Sequence, residues 1–339
     1  MAIFSIHDLL QAEQAGRLRI PERADFSAFS LNVHIDKLYH RLETKAVMVG
    51  EQELAQEEFL EQVCEEIPFD QGTTISPHDF YLWQPREEIF LGQGLAGEIT
   101  SRSSWARLGM RAQSKRVDDY LSRYHEDVTI KPLCTLKAMG TSVIVKRGDA
   151  IGQLFVDDGP EYCSDAQMYK MVESGEFTVT REGQPLRASD LNVDHGMLLT
   201  LGKDLLVYPG GLLQPGQDNT FIPRAVGRIE KHYFPQGAFF LSASSEYVEI
   251  PEGYAGYVVE REPQLFHLPF ASHPNAPYIG PKSVFKGRIT FENYMMREGH
   301  ISEGMVQSKL LLKSLRTPLQ NHEVQSRYNH QTHATASRL

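Results

Sequence analysis

Ser101-Arg102-Ser103-Ser104-Trp105-Ala106-Arg107-Leu108-Gly109 is the stretch from which the rest of the chain can be read. It sets two arginines and two adjacent hydroxyls close together, directly after a β-like run, Leu95-Ala96-Gly97-Glu98-Ile99-Thr100. Serine hydroxyls and guanidinium forks are the donors that hold phosphate oxygens, and arginine can do so through two parallel hydrogen bonds. A bare Arg-Ser-Ser reads more readily as a solvated turn. What gives this one weight is its relation to the remainder of the chain.

With 339 residues the chain exceeds one average domain and can bury a large core. A net charge of −10 argues against nucleic acid or an anionic membrane surface as the main partner, so an anionic small molecule would need a local basic pocket. Cys64, Cys134 and Cys163 lie far apart and form no C-x-x-C. They support neither a disulfide framework nor a cysteine-rich metal site, and fit thiols in a reducing cytoplasm. The N-terminal residues lack a basic segment followed by a long apolar one, and no apolar run reaches membrane-spanning length. The chain reads as cytoplasmic.

Ser5-x-x-Asp8 is a capping box, Ile6, Leu9 and Leu10 supply an apolar helix face, and Gly16 ends it. Phe29 to Ile35 alternates as a strand, and the acidic stretch 51–66 reads as a surface helix inserted between strands. From Phe80 to Thr100, and again over Thr141–Val145 and Ala150–Val156, short β-like runs alternate with Pro and Gly. The plan then restarts. Ser164-x-x-Gln167 is a second capping box, with Met168, Met171 and Val172 as its face and Gly175 as its stop. Ser5 and Ser164, Gly16 and Gly175, and Phe80 and Phe239 each stand 159 residues apart. Within Phe80–Ser104 and Phe239–Pro263 the pairs Phe80/Phe239, Leu82/Leu241, Glu87/Glu246, Gly94/Gly253, Ala96/Ala255, Gly97/Gly256 and Arg102/Arg261 are identical. One register shared by separate segments predicts a tandem duplication of a β-rich unit, joined near 157–163.

The copies differ where chemistry would lie. Opposite Arg102–Arg107 the second half reads Arg261-Glu262-Pro263-Gln264-Leu265-Phe266, without the hydroxyls. The second half in turn holds Gly287-Arg288-Ile289-Thr290-Phe291-Glu292-Asn293-Tyr294, a β-run with a single carboxylate. The corresponding first-half region, about Lys131 to Leu136, has none, and Cys134 is nearest.

Arg102-Ser103-Ser104-x-Ala106-Arg107-Leu108-Gly109 resembles the R-S-S-x-A-R-L-G motif of dCTP deaminases, relatives of the trimeric dUTPases. Glu292 in Ile-Thr-Phe-Glu-Asn-Tyr is similar to that family's catalytic glutamate. Arg327-Tyr328-x-x-Gln331 up to Ser337-Arg338 resembles its K-Y-x-x-Q…S-R tail, with Arg in place of Lys. The resemblance implies a mostly β protein of two tandem dUTPase-like β-barrel (distorted jelly-roll) units with short peripheral helices. These would be 1–157 with the phosphate motif, 164–315 with the catalytic glutamate, and a lid tail at 316–339. Where single-unit relatives carry every motif in each subunit, here the motifs are divided, which implies one composite site per chain. The hairpin residues His273 to Tyr278 depart from the family's usual pattern.

The implied activity is hydrolytic deamination of dCTP to dUTP and ammonia, which supplies dUTP for thymidylate synthesis. One shielded carboxylate can shuttle the protons that water addition at C4 and ammonia loss require. By resemblance Glu292 takes that role, Ser103 holds the water, and Arg107 holds Glu292 ionised or stabilises developing charge. Arg102 and Ser104 would bind phosphate, and Arg327, Tyr328 and Gln331 would fold over it. Mg²⁺ would arrive on the triphosphate. A zinc deaminase would need H-x-E and P-C-x-x-C, and neither occurs. A trimer of tandem chains, or a monomer imitating a trimer, would build the site. The rivals are a bifunctional dCTP deaminase/dUTP diphosphatase and a non-catalytic deoxynucleotide-binding regulator.

Overall fold

The computed structural model describes residues 2–19, 26–27, 30–41, 60–61, 63–77, 79–92, 94–114, 128–130, 132–159, 161–215, 217, 219–260, 268–273 and 277–319. Within these the chain is mostly β, with a few short helices at the periphery. The helix Ile6–Gln14 is capped by Ser5, whose hydroxyl accepts from Asp8 N while the Asp8 carboxylate accepts from Ser5 N. Asp165–Glu173 repeats this with Ser164 and Gln167. The stop residues Gly16 and Gly175 have φ of +71° and +77°, a left-handed turn that a Cβ would disfavour. Leu10 does not join the apolar face: it is exposed, and Leu9 and Ala12 make the buried contact. Part of the acidic stretch lies outside the described residues, but Cys64–Glu66 is a strand and not helix, because it pairs with Tyr39–Arg41 along the edge of the long first strand.

In the first half the strands run Ala96–Ser101, Ala150–Asp157, Ser30–Arg41, Tyr81–Pro85, Cys134–Ala138 and Met110–Gln113 across one antiparallel sheet. Its two outer strands come back together. Ser101 Oγ accepts from Ala112 N at 2.6 Å, Ser114 N donates to Ile99 O, and Ile99 N donates to Ser114 Oγ, so the sheet nearly closes into a barrel. Leu31, Val33, Trp83, Ile99, Trp105, Leu136 and Leu154 fill the interior. That alternation of inward residues is what a closed sheet requires.

The second half is built on Phe239–Glu249, which pairs with Thr178–Arg181, Met197–Val207 and Lys286–Met295. Val306–Ser314 and Tyr254–Glu260 continue beyond Met197–Val207, and Phe270–His273 lies outside Lys286–Met295. One device recurs in both halves. Glu87 and Glu246, 159 residues apart, are both buried, and each accepts a backbone N–H from the long strand it braces: His34 N in one case, Thr200 N in the other, both at 2.9 Å. Each carboxylate also takes a side-chain partner from that same residue (His34 Nδ1 or Thr200 Oγ1) and an arginine, Arg86 or Arg181.

The halves interlock. Leu212–Leu213 adds in parallel to Ser142–Val145, and Leu213 is buried in the first-half core, with Tyr208 and Phe221 against it. Ile3 bridges Asp157 and Leu315, and Lys313 Nζ donates to Asp157 at 2.8 Å with both side chains essentially buried. Tyr278 stacks on Phe155 with ring centroids 3.8 Å apart and donates to Glu98.

Candidate functional site

Ser103–Ala106 forms a single helical turn that joins the two edge strands where the first-half sheet closes. Arg102 N donates to Ile151 O, and one Arg102 guanidinium nitrogen donates to Ala150 O, tying the start of the turn to the neighbouring strand. Trp105 and Leu108 sink into the core and fix the orientation of the turn, while Arg102 and Ser103 stay half-buried. Ser104 is buried, and Arg107 is only 5% exposed. An arginine taken that far from water requires partners for its charge.

Glu292 lies in the middle of Lys286–Met295, between two strands, in register with Leu241 on one side and His273 on the other. It is therefore not an edge-strand glutamate facing solvent, and it too is only 5% exposed. The strand period sorts its neighbours. Ile289 and Phe291 point into the second-half core, so Glu292 and Tyr294 share the opposite face. On that face Leu241 and Phe239 pack with Tyr208 and Phe221, the same two side chains that lie against the first-half core. Glu292 thus sits on the face that the first half covers.

Met139-Gly140-Thr141 carries the connection to the helical turn. Thr141 Oγ1 donates to Leu108 O at 2.7 Å, and Met139 N donates to Gly109 O at the same distance. A Cβ on Gly140 would stand 2.8 Å from Tyr294 Cδ2 and 3.0 Å from Gly237 O. From Leu108, next to Arg107, a path runs through Thr141 and Gly140 to Tyr294, which is two residues from Glu292 on the same strand. The 139–141 segment thus connects the end of the Ser103–Ala106 turn in one half to the strand that carries Glu292 in the other.

The sequence reading named Arg102, Ser103, Ser104, Arg107 and Glu292: the first four lie on or beside the Ser103–Ala106 turn of the first half, and Glu292 lies on the Lys286–Met295 strand of the second. Arg327, Tyr328 and Gln331 lie outside the described residues, as does Arg261, and of the departing hairpin 274–276 do as well. Thr141, Gly140 and Tyr294 were not assigned from sequence. Gly140 carried a signal, since a glycine between β-like runs marks a turn or a close approach, but its partner is remote in sequence. Among the described residues, no group of three or more His, Cys, Asp or Glu could hold a metal ion.

Residues 3–159 match the family model described as dCTP deaminase-like. Over this segment, a little under half of the chain, the sequence is similar to that family. The match covers the whole deaminase-like half, including the Arg102–Gly109 turn. Among solved structures, the crystal structure of 2'-deoxycytidine 5'-triphosphate deaminase from Agrobacterium tumefaciens is similar over 93% of this chain and 99% of that one, with a TM-score of 0.71 at 16% identity. At that identity the likeness speaks for the fold, and it extends well past the deaminase-like half into the second. No curated protein matches.

Proposed function

We propose that the chain is a dCTP deaminase whose site is shared between its two halves. The observation that carries this reading is the close approach of Gly140 in the first half to Tyr294, two residues from the buried Glu292 on the same strand, within a chain whose residues 3–159 match a dCTP deaminase-like model. The similar solved structure is titled as a deaminase of this substrate and supports the reading at the level of fold.

In this mechanism Ser103 holds a water against C4 of cytosine. Glu292 takes one proton of that water as its oxygen adds to C4 and passes it to N3; it then takes the remaining hydroxyl proton of the adduct and passes it to the amine, so that the C–N bond breaks, ammonia leaves and a uracil carbonyl forms. A carboxylate screened from solvent is suited to both directions of transfer. Arg107 stabilises the charge that builds at the reacting centre. Arg102 and Ser104 bind phosphate oxygens, with Arg327, Tyr328 and Gln331 closing over them. Mg²⁺ would come with the triphosphate and offset its negative charge, with no dedicated protein cage needed. The second copy of the unit, on this reading, has lost the hydroxyls opposite Ser103 and Ser104, while the first has lost the carboxylate. One chain then supplies one complementary pair of half-sites.

Incubation of the purified chain with dCTP and Mg²⁺, with dUTP, dUMP and pyrophosphate resolved over time, tests the reading. Accumulation of dUTP and ammonia supports it. Release of dUMP with pyrophosphate would indicate a bifunctional enzyme, and binding without turnover a regulator.

A further inference from the structure

We propose that the second half contains a separate anion site that takes a short phosphate chain. It lies in a cavity of about 730 Å³, within the range of small-ligand pockets, on the side of the second half where Thr178–Arg181 meets Met197–Val207 and the turn at Glu303–Gly304. Arg181, Lys203, Arg228 and Arg288 line it, against the two carboxylates Glu182 and Glu303. That excess of cations stands out in a chain whose net charge is −10.

The local geometry makes the cavity a built feature. The Met197–Val207 strand shifts register against Phe239–Glu249 between Leu201 and Leu205. At that bulge Gly202 lies so close to the next strand that a Cβ would be 2.9 Å from Ala243 O. The bulge sets Lys203 at the cavity wall. Arg181 is fixed by a 2.8 Å ion pair from Nη2 to Glu246, whose other oxygen is held by Thr200 N. Its Nε is buried without a hydrogen-bond partner, an orphan donor of the kind that calls for an acceptor. Lys203 and Arg228 make no ion pair among the described residues and are exposed. Two exposed cations beside a positioned guanidinium suit the spread charge of linked phosphates better than a single carboxylate. The site is distinct from the junction of the halves: Arg288 is four residues before Glu292, about 13 Å along the strand, and no residue of Arg102–Gly109 lines the cavity.

The test uses the full-length chain carrying Arg102→Ala, which disables the phosphate motif of the first half. Inorganic pyrophosphate, tripolyphosphate and a nucleoside triphosphate are titrated calorimetrically at low salt, with and without the further double change Lys203→Ala/Arg228→Ala. Both substituted side chains are exposed, so thermal melting should be unchanged by the double change. The expected result is stoichiometric binding that weakens with added salt and falls at least tenfold in the double variant. A nucleoside triphosphate that binds more tightly than tripolyphosphate assigns a nucleotide to the site, and equal affinity assigns the phosphate chain alone; both support it. Absence of binding at low salt, or equal binding with and without Lys203 and Arg228, overturns the proposal. Deaminase activity, assayed on the chain without these changes, reports on the other site independently.

Discussion

Gly140 leaves the space that Tyr294 fills: a Cβ at position 140 would stand 2.8 Å from the tyrosine ring, and Gly140 itself holds φ at +70°. One residue further, Thr141 secures Leu108 just after the Ser103–Ala106 turn, while Tyr294 is two residues from Glu292 on the same strand face. Gly140→Ala combines a left-handed backbone cost with overpacking and is expected to destabilise the chain by about 2–3 kcal/mol. Chemical denaturation measures this, and deaminase activity of the still-folded fraction should fall with it, because the displaced tyrosine shifts the strand carrying Glu292.

Glu292→Gln keeps shape and hydrogen-bonding capacity but removes the titrating proton site. Activity on dCTP is expected to drop by at least about a hundredfold, the lower range for loss of a general acid–base group, with the circular-dichroism spectrum and melting temperature preserved. Undiminished turnover would remove Glu292 from the chemistry.

Arg107→Ala leaves the surroundings of a buried guanidinium without its charge and should lower both stability and turnover. Arg107→Lys restores charge without the planar fork, so stability should recover more than kcat. A stopped-assay comparison of the two variants, alongside their unfolding midpoints, separates the two effects.

Lys313 and Asp157 form a buried ion pair across the seam of the halves. Lys313→Ala strands the carboxylate and is expected to cost about 3–5 kcal/mol, whereas Lys313→Met with Asp157→Leu should recover most of the loss. The double-mutant cycle, read by urea unfolding, provides the check.

Burial pushes the Cys163 thiol up to about 11 and raises that of fully buried Cys134 further, while half-buried Cys64 is raised less. At pH 8 the folded chain should therefore react slowly with a thiol-specific reagent at Cys134 and Cys163, and all three cysteines should react promptly in denaturant. Mass spectrometry of the labelled peptides reads out the order.

Much of the fold could be read from local rules. Both capped helices and the strands Ala96–Ser101 and Ala150–Asp157 follow from caps, glycine stops and alternation, all of which act within a few residues. The paired roles of Glu87 and Glu246 were visible only as an identity at a fixed offset; that each braces its own long strand needed the fold. Leu10 was misplaced because a helix face defined by spacing alone does not say how wide the covering surface is. Cys64–Glu66 was misread because its helix-permissive composition was overridden by pairing with Tyr39–Arg41, a tertiary effect. At the candidate site, the close approach of Gly140 to Tyr294 was not legible, since nothing in either neighbourhood points to the other.

The Leu212–Leu213 strand, inserted beside Ser142–Val145, has a consequence for how such a chain can change. A segment of the second half completes the sheet and core of the first, so neither half is a self-sufficient module that recombination could exchange or discard. The interlock makes the two halves obligate companions in folding.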